Sequence, residues 1–171
     1  HGTICNHMPQ RTSALPPLSF AVRSETDRLH QVIVHTPGPE LELVAPEHRL
    51  TLLFDDLLFL EEAQAEHRCL CQLFEKVVGP EGAVLQITEL LQQAFAVEDA
   101  RMQFVEQLCQ LQPEANLQAF ARELRALSPE ALLHFALTGQ SPLPLNALPL
   151  PNLLFTRDLA AVVDDHLIVS H

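Results

Sequence analysis

Two short β-branched runs constrain the first part of the fold. His30-Gln31-Val32-Ile33-Val34-His35 is stopped abruptly by Thr36-Pro37-Gly38-Pro39, and Gly82-Ala83-Val84-Leu85-Gln86-Ile87 follows a break at Gly79-Pro80. Each has the length and residue types of a buried strand. Between them Leu60, Ala63, Cys69, Leu70, Leu73, Phe74 and Val77 recur close to helical spacing, while Glu61, Glu62, Glu66, Arg68 and Lys76 supply a polar surface. Strand, helix and strand in that order form an α/β unit, because the helix must cover the sheet that the strands build. Ahead of the helix, Leu50, Leu52, Leu53 and Phe54 approach Asp55-Asp56, two acids suited to the positive end of a helix dipole.

The middle of the chain changes character. Residues 88–139 read as wholly helical, with Thr88 as N-cap and Val97, Phe104, Val105, Leu108 and Leu111 on one stripe. Pro113 breaks that pattern, and Leu117, Phe120, Ala121, Leu124 and Leu127 form a second stripe. Ser128-Pro129-Glu130 then supplies an N-cap followed by proline at the first helical position, and Gly139 can close the third helix. Amphipathic helices of this kind must bury their stripes against one another or against the α/β layer, so a helical bundle inserted into an α/β domain is predicted. Met102, Cys109 and His134 fall within the pattern as packing residues. Residues 140–151 form a proline-rich connector back to the α/β part. Beyond it, Ala160-Ala161-Val162-Val163 and Leu167-Ile168-Val169 flank Asp164-Asp165 as a β-hairpin. A strand so close to Ser170-His171 would present a sheet edge for something else to cover, so the chain reads as the front of a longer polypeptide.

Composition narrows the function classes. With 22 acidic and 10 basic residues the net charge is -12, which disfavours a nucleic-acid or anionic-membrane surface and suits a cationic small substrate. The 47% of hydrophobic residues within 171 support one ordinary domain, or one small domain plus an insertion. Cys5, Cys69, Cys71 and Cys109 form neither a disulfide framework nor paired zinc spacing, which points to a reducing, cytoplasmic setting. No run approaches the roughly 18 apolar residues of a membrane span. His1 to His7, ahead of Met8, read as a tail or expression remnant; its Cys5 and His7 do not by themselves close a metal site. No metal or organic cofactor is indicated.

The densest combination of rigidity and charge is Pro149-Leu150-Pro151-Asn152-Leu153-Leu154-Phe155-Thr156-Arg157-Asp158. Proline fixes its own φ and pushes the preceding residue towards extended backbone, so a rigid, extended segment presenting Asp158 is expected. A carboxylate held this way suits a guanidinium, which can donate two parallel charge-assisted hydrogen bonds to it. Phe155 offers an aromatic face to the same cation, and Asn152 an amide for an amino or carboxylate group. An ion pair between Asp158 and an arginine elsewhere in the fold is the competing structural reading.

This segment resembles the Pro-Asn-Leu-x-Phe-Thr-Arg-Asp motif of arginine deiminases, and the resemblance extends to Leu52-Leu53-Phe54-Asp55-Asp56 and His35-Thr36-Pro37-Gly38. It implies an enzyme that converts L-arginine to L-citrulline and ammonia. A cysteine attacks the guanidinium carbon, and water hydrolyses the covalent thiouronium intermediate. It assigns guanidinium binding to Asp158, as a catalytic residue, and pocket roles to Asn152, Phe155 and Leu53, with Arg157 supporting the loop. It implies the N-terminal part of a five-bladed α/β propeller of ββαβ modules with an inserted helical bundle. The corresponding division is a tail at 1–10, propeller at 11–88, helical insertion at 89–140 and a return to the propeller at 141–171. The family's catalytic His, second guanidinium-binding Asp and nucleophilic Cys all lie downstream of the Asp158 motif. This chain alone is therefore expected to be inactive, and to form a homo-oligomer or associate with the missing C-terminal part. Two alternatives stay open: a non-catalytic helical interaction module, and another guanidine-modifying hydrolase or an amidinotransferase.

Overall fold

The structure, a computed structural model, describes residues 21–24, 26–54, 58–110, 117–143 and 147–169. It is a mixed α/β arrangement with two small sheets among the described residues. Strand β1 (Gln31–Val34) pairs in parallel with β2 (Ala83–Gln86), in the register Gln31↔Ala83 to Val34↔Gln86. Parallel neighbours need a long crossover, and the chain supplies it in helix α2 (Leu60–Val78), which packs back onto both strands and buries His67 and Val78. A short helix, α1 (Arg49–Leu52), precedes the crossover.

Four helices follow: α3 (Ile87–Ala96), α4 (Glu98–Gln110), α5 (Leu117–Ala126) and α6 (Pro129–Thr138). Phe95, Val105, Leu124, Leu127, Leu132 and Phe135 form their common core. The N-terminal stretch departs from the single helix capped by Thr88. The helix starts at Ile87, with Gln86 at the cap position and no side-chain cap bond, so Thr88 lies inside it. It ends at Ala96, and Val97 adopts extended backbone and is 56% exposed instead of joining the stripe. The physical reason is angular. In a continuous helix the nine residues from Phe95 to Phe104 turn about 900°, which would place the two rings on opposite faces. The break brings their centroids to 4.8 Å, and Glu98 and Asp99 then open α4 where negative charge is favourable. Leu111 and Pro113 lie outside the described residues.

The start and stop of α6 match the sequence signals. The Ser128 hydroxyl oxygen accepts from the Ala131 N–H at 3.2 Å, Pro129 follows in the first turn, and Gly139 ends the helix at φ 71°. A Cβ on Gly139 would overlap the Ala147 carbonyl, because the connector returns here and the Ala147 N–H donates to Gly139 O at 2.9 Å. Gly139→Ala therefore combines a left-handed backbone cost with a steric one and should destabilise the protein by about 2–3 kcal/mol. Urea denaturation checks this; an unchanged midpoint would show that the connector shifts freely.

The chain ends its described course in α7 (Thr156–Leu159) and an antiparallel hairpin of β3 (Ala160–Val163) and β4 (His166–Val169). Asp164 turns the hairpin at φ 52° and exchanges two backbone hydrogen bonds with Val22, at 3.0 and 2.7 Å. All four residues of β4 are exposed.

Candidate functional site

Residues 149–158 do not form the extended approach expected of them. Pro151 opens a 3-10 turn (Pro151–Leu154), and α7 follows directly. The Leu153, Phe155 and Asp158 N–H groups donate to the carbonyls of Leu150, Asn152 and Phe155, at 3.2, 2.9 and 3.0 Å. Proline's fixed φ suits the first position of a helical turn as well as an extended strand, and here the turn wins. Its consequence is decisive for the site. The turn and α7 together leave Asn152, Phe155 and Asp158 exposed, while Pro151 and Leu153 are buried.

Long-range hydrogen bonds among the described residues hold this segment. The Asn152 side-chain N–H donates to Leu52 O at 2.6 Å, the Thr156 hydroxyl to Ile33 O at 3.1 Å, and the Leu150 N–H to Leu137 O at 2.9 Å. Asn152 is thus partly a structural residue; its amide oxygen remains for a ligand. The first bond brings in Leu53, which follows α1 at φ 51° and is 84% exposed. That backbone region is disfavoured for a bulky side chain, and such strain concentrates at binding sites. Asp55 and Asp56 lie outside the described residues.

Leu53, Asn152, Phe155 and Asp158 line one open depression of about 460 Å³. Leu150, Leu153 and Leu159, not singled out from the sequence, complete its walls. Among the described residues, Asp158 is the single ionisable side chain lining the depression. A carboxylate, an amide oxygen and an aromatic face set among leucines can take a planar cation joined to an aliphatic chain.

A second polar cluster lies behind β1. His35 and Glu40 are both 1% exposed, and His35 Nε2 donates to Glu40 Oε1 at 2.8 Å. Burial pushes the Glu40 carboxyl up, but the His35 hydrogen bond and the backbone N–H groups around it outweigh burial and hold it below the ordinary glutamate range. His67 Nδ1 lies 3.3 Å from Thr36 Oγ1 and 3.4 Å from Cys71 Sγ. Burial, then the charge of His35, holds the His67 imidazole below its usual value. Burial, then the Glu75 carboxylate, pushes the Cys71 thiol up, against a smaller opposing hydrogen bond from Gln86. Cys71 beside His67 is therefore a protonated thiol and not an activated nucleophile. Among the described residues no group of three or more His, Cys, Asp or Glu side chains is placed to hold a metal ion, and no helix is long and apolar enough to cross a membrane.

A model of the arginine deiminase family matches residues 50–138, more than half of the chain. This chain belongs to the arginine deiminase family. Arginine deiminases of Streptococcus sanguinis (strain SK36), Streptococcus gordonii (strain Challis) and Streptococcus pneumoniae (strain Hungary19A-6) are each 30% identical to it over 178 aligned positions. The alignments cover 88% of this chain and 42% of each relative, so the chain spans well under half the length of these deiminases.

Proposed function

We propose that the depression at Asp158 is the guanidinium-binding half of an arginine deiminase site, and that the protein acts on L-arginine to give L-citrulline and ammonia. The observation that carries this is that Asn152, Phe155, Asp158 and Leu53 line one depression in a chain of this family. Asp158 accepts the guanidinium hydrogen bonds and fixes the plane of the cation. Phe155 lies against its face, Asn152 accepts from the substrate's polar end, and Leu53 walls the aliphatic chain. Held in this way, the guanidinium carbon is oriented for attack by a cysteine thiolate from the part of the relatives that this chain does not span. C–S bond formation and loss of ammonia give the thiouronium, and water then releases citrulline and regenerates the thiol. Cys71 does not fit that nucleophile, since its environment favours the thiol.

The same reading takes the β1–α2–β2 unit as part of an α/β propeller, α3 to α6 as its helical insertion, and the cytoplasm as its setting. The exposed β4 strand supports an association that covers it, with further sequence of the parent protein or with a second copy. An intact-mass spectrum paired with a citrulline assay on one sample tests the proposal. Citrulline formation at a mass well above 19.1 kDa supports it; a larger, folded protein inert towards arginine sinks it. Asn152→Ala should weaken L-arginine binding about tenfold and cost about 1–2 kcal/mol in stability, because the Leu52 carbonyl loses its partner. Parallel calorimetric titration and thermal melting separate the two effects.

A further inference from the structure

We propose that His35 and Glu40 form a positioning pair for the guanidinium site, an inference that rests on the reading just given. The pair closes the loop between β1 and the 3-10 turn Pro39–Leu41. Each end of that loop holds one end of the site segment. On the strand side, Ile33 O receives the Thr156 hydroxyl at the head of the turn bearing Asp158. On the other side, Leu41 packs with Leu52 and Phe54, and Leu52 O receives Asn152. The His35–Glu40 bond therefore sets the distance between the two anchor points of the depression.

The loop is built around this carboxylate. The Gly38 N–H donates to Glu40 Oε1 at 2.6 Å, and a Cβ on Gly38 would stand 2.5 Å from Oε2. The Gln64 side chain donates to Pro37 O, and the Thr36 N–H donates to Gln86 Oε1, so α2 and β2 grip the same turn. Stability is a poor reason for such an arrangement. A buried polar pair gains little over apolar packing, and His35 Nδ1 and Glu40 Oε2 are both buried without a hydrogen-bond partner. What the pair supplies is a fixed geometry, which a binding constellation needs to within a fraction of an ångström.

The test is nuclear magnetic resonance of the 171-residue chain, reading the Asn152 side-chain amide, with an L-arginine titration of each variant. His35→Ala should shift or broaden the Asn152 amide signals and weaken L-arginine binding about tenfold. His35→Gln, whose Nε2 can reach the same oxygen, should restore both. Val105→Ala, in the helical core, should lower the melting temperature and leave the Asn152 signals in place. Unmoved Asn152 signals in His35→Ala, failure of His35→Gln to restore them, or an equal change in Val105→Ala would each overturn the proposal. If His35→Ala does not fold, Glu40→Asp and Glu40→Gln decide it: the shortened side chain should move the Asn152 signals and the isosteric one should not, and equal behaviour overturns the idea. Absence of L-arginine binding by the unmodified chain counts against the guanidinium reading alone, because the amide signals still report on positioning.

Discussion

Asp158→Ala should lower the affinity for L-arginine by roughly 30-fold to 1000-fold, the equivalent of losing about 2–5 kcal/mol from a charge-assisted pair. Among the described residues that line the depression, Asp158 is the one carboxylate. Leucine walls lower the local polarity and make the carboxylate worth more than it would be in water. Asp158→Asn, which keeps an acceptor oxygen but not the charge, should fall between the two. The side chain is exposed on a short helical turn, so thermal unfolding of Asp158→Ala should stay within about 0.5 kcal/mol of the parent. Isothermal titration of folded variants makes the comparison. Wild-type affinity in Asp158→Ala would return Asp158 to a purely structural role.

Glu40→Ala acts through stability and should cost about 3–5 kcal/mol, because removing one partner of a buried pair leaves the other desolvated and unpaired. The pH dependence follows from the direction of the Glu40 shift. Its folded-state pKa lies below the unfolded one, so its contribution is fully present above the ordinary glutamate range and is lost as pH falls through the lower folded value. Urea denaturation at neutral pH should therefore show the full gap between wild type and Glu40→Ala, and the gap should narrow in strong acid. A gap of constant size across that range would mean that lost packing, not ionisation, sets the cost.

The α/β unit was legible because its strands are β-branched, its crossover is periodic and its punctuation is glycine and proline. The capping of α6 was legible for the same local reasons, with Ser128, Pro129 and Gly139 each carrying a specific backbone preference. What local patterns do not carry is the path between elements. Residues 87–110 are helical on both sides of Val97, and only the requirement that Phe95 and Phe104 face one core reveals the turn. At the site, the residue types in the motif point to a guanidinium, while their backbone is turned and not extended. Proline permits both an extended approach and a 3-10 turn, and the choice depends on anchors at Leu52, Ile33 and Leu137, far away in sequence. The His35–Glu40 pair gave little sequence signal. A histidine at a strand end looks solvated until the chain that buries it is in place.

The Asn152 and Thr156 anchors span 100 and 123 residues, and that has a consequence for the order in which the protein forms. Contacts within α3 to α6 close short loops and can form early, whereas ring closure over a hundred residues adds entropy that only the finished fold repays. During synthesis at about 5–20 residues per second, Leu53 leaves the ribosome roughly 5–20 s before Asn152 does. For that interval the helical bundle can assemble while the leucine wall waits for its partner. A nascent chain exposed from the ribosome only as far as Leu150 should therefore have protected bundle amides and no site, and the depression should appear only once Leu159 has emerged.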